Sequence, residues 1–249
     1  MRAILTYHSI DSSNSVISTS EEIFRRQVKW LATGRVRVVD IPELLDLDDD
    51  VDAVALAFDD GFANLDSCAI PHLVEAGLTA TVFVVTDCIG GTNSWEFKSN
   101  SGVPLLPLLD WSNLALLHER GFRIGSHSRT HARLTTLSSS EIGDELSGSV
   151  ERVKAELGFE PALFAYPFGA TTSDVVEQVS RIFTHACTTE FQILSDAENL
   201  HLLPRLDMYY FRDVSRLETF GTSAFSRYVK LRARGRRLRR AVPGLSNDQ

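Results

Sequence analysis

Two spacings of apolar residues alternate along the chain. Short runs rich in Val, Ile, Phe and Thr fall near 2–8, 36–40, 53–58, 79–85, 122–126, 162–166, 184–188 and 202–208, and they read as strands. Amphipathic stretches near 20–33, 67–76, 111–119, 138–157, 173–182 and 213–233 read as helices. Repeated strand–helix units of this kind predict an α/β fold around a mainly parallel sheet. The helix opening at Ser138 has the firmest signals: Ser138 and Glu141 form a capping-box pair, and Gly158 follows Leu157 as a stop. Between 90 and 107, Gly, Pro, Ser and Asn cluster into a long loop, which in a compact domain is more often a binding wall than filler.

The 249 residues suit one large domain, with no internal repeat and no dividing linker. Its boundary is drawn at residue 226, ahead of a basic tail at 227–249 in which Gly235 weakens any continuous helix. A 43% hydrophobic and 23% charged composition is that of a globular chain and argues against disorder. The net charge is −8, but Arg227 to Arg240 alone carries eight Lys or Arg and no acid, leaving −16 on the remainder. So acidic a body excludes broad nucleic-acid binding, which needs a basic surface to displace counterions. The tail is expected to lie on anionic lipid, as a peripheral membrane contact, or to be a solvated helix end. No apolar run approaches the ~20 residues of a spanning helix. The strand-like opening, with no signal-peptide pattern, and the unpaired Cys68, Cys88 and Cys187 lead to the expectation of a cytoplasmic protein.

Candidate chemistry concentrates where predicted strands end. Leu56-Ala57-Phe58 runs into Asp59-Asp60-Gly61, two adjacent carboxylates followed by a glycine that permits a tight turn. Taken alone, such a turn is structural more often than functional, and Asp48-Asp49-Asp50 is read that way. The strand 122–126 runs into His127-Ser128-Arg129-Thr130-His131, whose two imidazoles would share one side of a helical turn and reach a common ion. Together the motifs supply two His and one carboxylate as ligands, with a second carboxylate left to take a proton from water. A third segment, Leu163-Phe164-Ala165-Tyr166-Pro167-Phe168-Gly169, runs from a strand into an aromatic turn that could wall a sugar groove.

With these motifs, and Leu203-Pro204-Arg205 after them, the chain resembles the polysaccharide deacetylase family, also called the NodB-homology domain or carbohydrate esterase family 4. The resemblance runs from the first strand to about Leu206. It implies a distorted (β/α) barrel of seven or eight mainly parallel strands, compatible with the alternation above. It makes Asp59 the general base and Asp60, His127 and His131 ligands to a divalent ion, usually zinc. Two positions depart from the pattern. Many members carry an Arg two residues before the proline of the third motif to orient the base, where this chain has Ala165, and Arg205 is the expected substitute. No Leu-x-His supplying the general acid follows Arg205, and the flanks of His201 do not match. The family's poly-N-acetylglucosamine deacetylase branch has a rearranged form with a His near the first strand, and Tyr7-His8-Ser9 matches it, so His8 is the expected acid.

The function expected is therefore hydrolysis of a non-peptide carbon–nitrogen bond, releasing acetyl from an N-acetylated sugar or glycan intermediate. Tyr166, Pro167 and Phe168 are expected to wall the groove, with Trp95, Trp111 and Tyr209 as weaker candidates, and His72, His118 and His185 as structural. Two alternatives stay open: an O-acetyl esterase or deformylase using the same attack, and a carbohydrate-binding relative that lost turnover, a reading favoured by Ala165 and opposed by the complete Asp59, Asp60, His127 and His131 set.

Overall fold

A computed structural model describes residues 1–48, 50–95, 102–195 and 198–240. Asp49, part of the predicted loop at 90–107 and the last residues of the tail lie outside that set.

One eight-stranded sheet organises the chain. Its strands are β1 (Arg2–Tyr7), β4 (Arg37–Val39), β5 (Ala53–Phe58), β6 (Thr81–Val84), β7 (Arg123–Ser126), β8 (Leu163–Ala165), β9 (His185–Cys187) and β10 (Leu206–Asp207). A small separate pair, β2 (Ser9–Ile10) with β3 (Ser18–Thr19), follows β1. All ladders of the main sheet are parallel, in the order β10-β1-β5-β6-β7-β8-β9, with β4 sharing one edge of β5. The sheet curls until both ends meet one segment: Leu203 bridges Cys187 on β9, and Leu206 pairs with Leu5 on β1. This is the expected distorted barrel.

The sequence of β5 shows how the strands fill it. In Ala-Val-Ala-Leu-Ala-Phe, Ala53, Ala55 and Ala57 join Ile4, Phe83, Leu163 and Ala165 in one cluster. Val54, Leu56 and Phe58 join the larger cluster that also takes in residues of the surrounding helices. Small residues face the crowded interior and large ones the helical layer, because successive strand side chains point to opposite faces.

Helices α1 (Glu21–Leu31), α2 (Ile41–Asp46), α3 (Asn64–Cys68), α4 (Ile70–Glu75), α5 (Trp111–Glu119), α6 (Ser139–Leu157), α7 (Ser173–Ser180) and α8 (Ser223–Arg240) surround the sheet. The capping box of α6 forms as the sequence predicts, and Gly158 closes the helix in a left-handed conformation at φ +82°. Three expectations need correction. The helix near 67–76 is two helices, because Pro71 in the first turn of α4 cannot continue the hydrogen bonding of α3. The helix near 213–233 is a 3-10 turn at Val214–Thr219 followed by α8, broken at Gly221 with φ +84°, where a Cβ would stand 2.3 Å from Asp52 Oδ2. Finally, no boundary falls at 226. Helix α8 runs unbroken through 227 and Gly235, with Phe225 and Val229 buried in the main core and the Tyr228 hydroxyl donating to the Tyr210 carbonyl at 2.7 Å.

Candidate active site

The residues flagged by the sequence collect where the strands end at their C-termini, the usual catalytic face of a barrel. His8 follows β1, Asp59 and Asp60 follow β5, and His127 follows β7. Asp60 at φ +69° and Gly61 at φ +72° form consecutive left-handed residues that send the two carboxylates apart. Asp59 turns toward Arg205 and Asp60 toward the histidines. The two imidazoles do not converge through a helical turn. Ser128 (φ +65°) and His131 (φ +60°) are both left-handed, and the Ser128 hydroxyl accepts from the His131 amide at 3.0 Å. Of the five described non-glycine residues with positive φ, Asp60, Ser128, His131 and Phe168 all lie here, which is where a fold tends to hold such conformations for function.

The Asp60 Oδ1 atom stands 3.5 Å from His127 Nε2 and 3.5 Å from His131 Nε2. Two ligands at ~2.0–2.1 Å from a tetrahedral ion would be spaced about 3.3–3.4 Å, so each imidazole stands from the Asp60 oxygen much as a second zinc ligand would, and the three groups lie within 4.8 Å of one another. His127 Nδ1 lies 2.7 Å from the Ala165 carbonyl, which can only accept, so the proton sits on Nδ1 and Nε2 keeps its lone pair. Rings hold His131 instead: Trp95 stacks on it at 4.8 Å and Phe168 meets it edge-on at 4.6 Å. Burial lowers the pKa of His127 to about 4, against the pull of Asp59. His131 is also pushed well below its usual value, by burial and then by His127. Both imidazoles are therefore neutral near pH 7, the form that binds a metal, and the Asp60, His127 and His131 cluster fits a divalent ion of the zinc type.

Asp59 is built for a different task. Both of its oxygens are forked by Arg205, Nη1 to Oδ1 at 2.7 Å and Nη2 to Oδ2 at 2.8 Å. Arg205 is oriented in turn by donating Nε–H to the Thr188 carbonyl at 2.8 Å. Burial would raise the carboxyl pKa, but Arg205, helped by His127 and His8, outweighs it and holds Asp59 well below the usual carboxylate range. His8 Nε2 lies 3.8 Å from Asp59 Oδ2, on a ring that is partly exposed. Arg205, the expected substitute for the Arg that Ala165 replaces, thus contacts Asp59 directly.

A family model described as polysaccharide deacetylase matches residues 46–184, more than half of the chain. The chain belongs to the polysaccharide deacetylase family. The matched span includes Asp59, Asp60, His127 and His131, while His8 and Arg205 lie outside it. The chain is 23% identical over 209 residues to YxkH of Bacillus subtilis, a namesake of the family, covering 82% of this chain and 70% of that one. It is 26% identical over 127 residues to the peptidoglycan-N-acetylglucosamine deacetylase PgdA of Listeria monocytogenes, covering 51% of this chain but only 23% of PgdA. Among solved structures, the Streptococcus pyogenes deacetylase PplD in complex with acetate shares the fold at a TM-score of 0.75 and 20% identity, over 88% of this chain and 98% of that one. IcaB from Ammonifex degensii does so at 0.73 and 20%, over 84% and 94%.

Within this polysaccharide deacetylase fold the third motif departs from its expected role. Tyr166 is no groove wall: it is fully buried beside Phe164 and Phe183, and its hydroxyl donates to the His201 carbonyl at 2.9 Å. Pro167 is buried as well, and only Phe168, left-handed at φ +59°, reaches the ligands. Trp95 belongs to the site through His131, whereas Trp111 faces Arg152 and Tyr209 faces Arg212. His72 meets Glu21, His118 stacks on Phe159, and His185 meets Thr184.

The sequence reading missed Glu145. It lies on the buried stripe of α6 with Ile142, Leu146, Ser149 and Val153, and an acid on such a stripe was the available signal. Its Oε2 accepts the amides of Arg129 and Thr130, each at 3.0 Å, and its Oε1 accepts the Thr130 hydroxyl at 2.7 Å. Glu145 therefore fixes the loop that carries both histidines. Glu145→Ala is expected to weaken the affinity of the cluster for an added divalent ion such as zinc by roughly 10–100-fold, with Glu145→Gln recovering part of the loss. Competitive zinc titration checks this, and unchanged affinity in the Ala variant would show that the loop holds its shape without the carboxylate.

Proposed function

We propose that the protein is a metal-dependent deacetylase that releases acetate from the amide of an N-acetylated sugar. The observation that carries this reading is the pairing, in one mouth, of an Asp60, His127 and His131 cluster with a second carboxylate, Asp59, that stays outside the cluster and is held ionised. The name of PgdA, an N-acetylglucosamine deacetylase, supports an N-acetylated sugar as substrate.

A divalent ion on the three ligands, zinc being the proposed one, would supply Lewis acidity that polarises the acyl oxygen and acidifies water. Asp59, ionised and aimed by the Arg205 fork, accepts the proton of the attacking water. His8, beside Asp59 and open to solvent, gives a proton to the departing amine nitrogen. Trp95, stacked on His131, and Phe168, edge-on to it, set aromatic rings beside the ligands, where a pyranose ring would meet them.

The test is acetate release from N-acetylglucosamine oligomers by zinc-loaded protein. His8→Ala is expected to lower kcat by roughly 10²-fold while leaving zinc content unchanged. Full turnover in that variant would remove His8 from the mechanism.

A further inference from the structure

Helix α8 has a second face that the barrel does not use. Phe225, Tyr228, Val229, Arg232 and Arg236 turn inward, the first and third into the core and the others onto aromatic rings. Arg227, Lys230, Leu231, Arg234 and Leu238 follow the spacing i, i+3, i+4, i+7, i+11 and are all exposed, so they form one stripe along the opposite side. Leu231 at 71% and Leu238 at 70% are the most exposed large hydrophobic residues among those described, the next being Leu116 at 50%. No acid occurs from Arg227 to Arg240. The acids near the far end of the helix are already engaged, Glu190 by Arg237 and Asp207 by Arg236. Arg227, Lys230 and Arg234 make no ion pair among the described residues. Along one flank of the stripe runs a groove of about 350 Å³ between α8 and the segment after β9, lined by Phe191, Ile193, Val229 and Ala233 with Lys230 and Arg234 at its edge.

A cationic crest set between two protruding leucines and an apolar groove matches the chemistry of an anionic lipid bilayer, whose headgroups meet the cations while leucines enter the acyl boundary. We propose that the outward face of α8 docks the protein on an anionic membrane surface. The helix is fastened to the catalytic end of the barrel: Arg236 donates to the Thr189 carbonyl at 3.3 Å, and the Thr189 side chain packs against Gly169 in the Phe168 turn. Docking through α8 therefore holds the site's rim close to the lipid.

The experiment is co-sedimentation of the full chain with vesicles of phosphatidylcholine alone and of phosphatidylcholine mixed with phosphatidylglycerol. Binding is expected to the mixed vesicles only, and to weaken as salt rises. Replacing Arg227, Lys230 and Arg234 together by Ala is expected to lower the partition coefficient by roughly 100-fold. Leu231→Ser with Leu238→Ser is expected to lower it by about tenfold. Both variants should keep the wild-type Tm and acetate release from a soluble oligomer, because the changed side chains are exposed. Failure of the wild type to bind either vesicle, equal binding to both, or unchanged binding by either variant would overturn the proposal. So would binding to duplex DNA in place of vesicles, which would make the crest a general polyanion surface.

Discussion

Arg205→Met is expected to lower both stability and turnover. The Asp59–Arg205 pair is almost fully enclosed, at 2% and 3% exposure, and removing one partner of such a pair strands the other charge in a medium that solvates it poorly. Losing one member of a buried pair costs about 3–5 kcal/mol, which for a domain of this size lowers Tm by on the order of 10 °C. Turnover should fall by more than the unfolded fraction explains, since Asp59 loses its orientation, and without the guanidinium that stabilises the carboxylate, burial favours its protonated form. Arg205→Lys should fall between the two, because an ammonium restores charge without the two-point fork. Thermal unfolding and acetate release on the same samples separate the effects. A Met variant that melts and turns over like the wild type would show that Arg205 is dispensable to Asp59.

Asp59→Asn is expected to leave zinc bound and to reduce turnover by roughly 10³–10⁴-fold. The substitution keeps the shape and removes the proton acceptor. Asp59 lies outside the Asp60, His127 and His131 cluster, so the metal content of the variant should match the wild type. Asp60→Asn should reverse the pattern, losing metal first and activity with it. Elemental analysis beside the assay distinguishes them, and loss of zinc from Asp59→Asn would make Asp59 a ligand rather than the base.

The site could be read from the sequence where its chemistry is contiguous. Asp59, Asp60, His127 and His131 each stand within a few residues of a recognisable strand end, so topology alone carries them to one face. Arg205 is different: it meets Asp59 across 146 residues, and only the gap at Ala165 directed attention to it. Tyr166 was misread although strand parity was available. Leu163 and Ala165 share the barrel interior, which puts Phe164 and Tyr166 on the helical side. Glu145 escaped because a carboxylate on a long helix has no local partner in sequence, its acceptor role being set by a loop 15 and 16 residues earlier. A boundary at 226 follows from charge, but the charge of α8 lies on both of its sides, Arg232 and Arg236 covering aromatic rings next to the buried Phe225 and Val229.

The central claim is that an ion held by Asp60, His127 and His131 enables acetate release that Asp59 drives. The most direct test is to strip the protein with a chelator, reload it with zinc, and measure acetate released from N-acetylglucosamine oligomers against Asp59→Asn prepared in the same way. Release that returns with zinc in the wild type and stays absent in the zinc-bound variant is the predicted result. Equal release with and without the metal, or a folded, zinc-loaded wild type that frees no acetate from these oligomers, would contradict it.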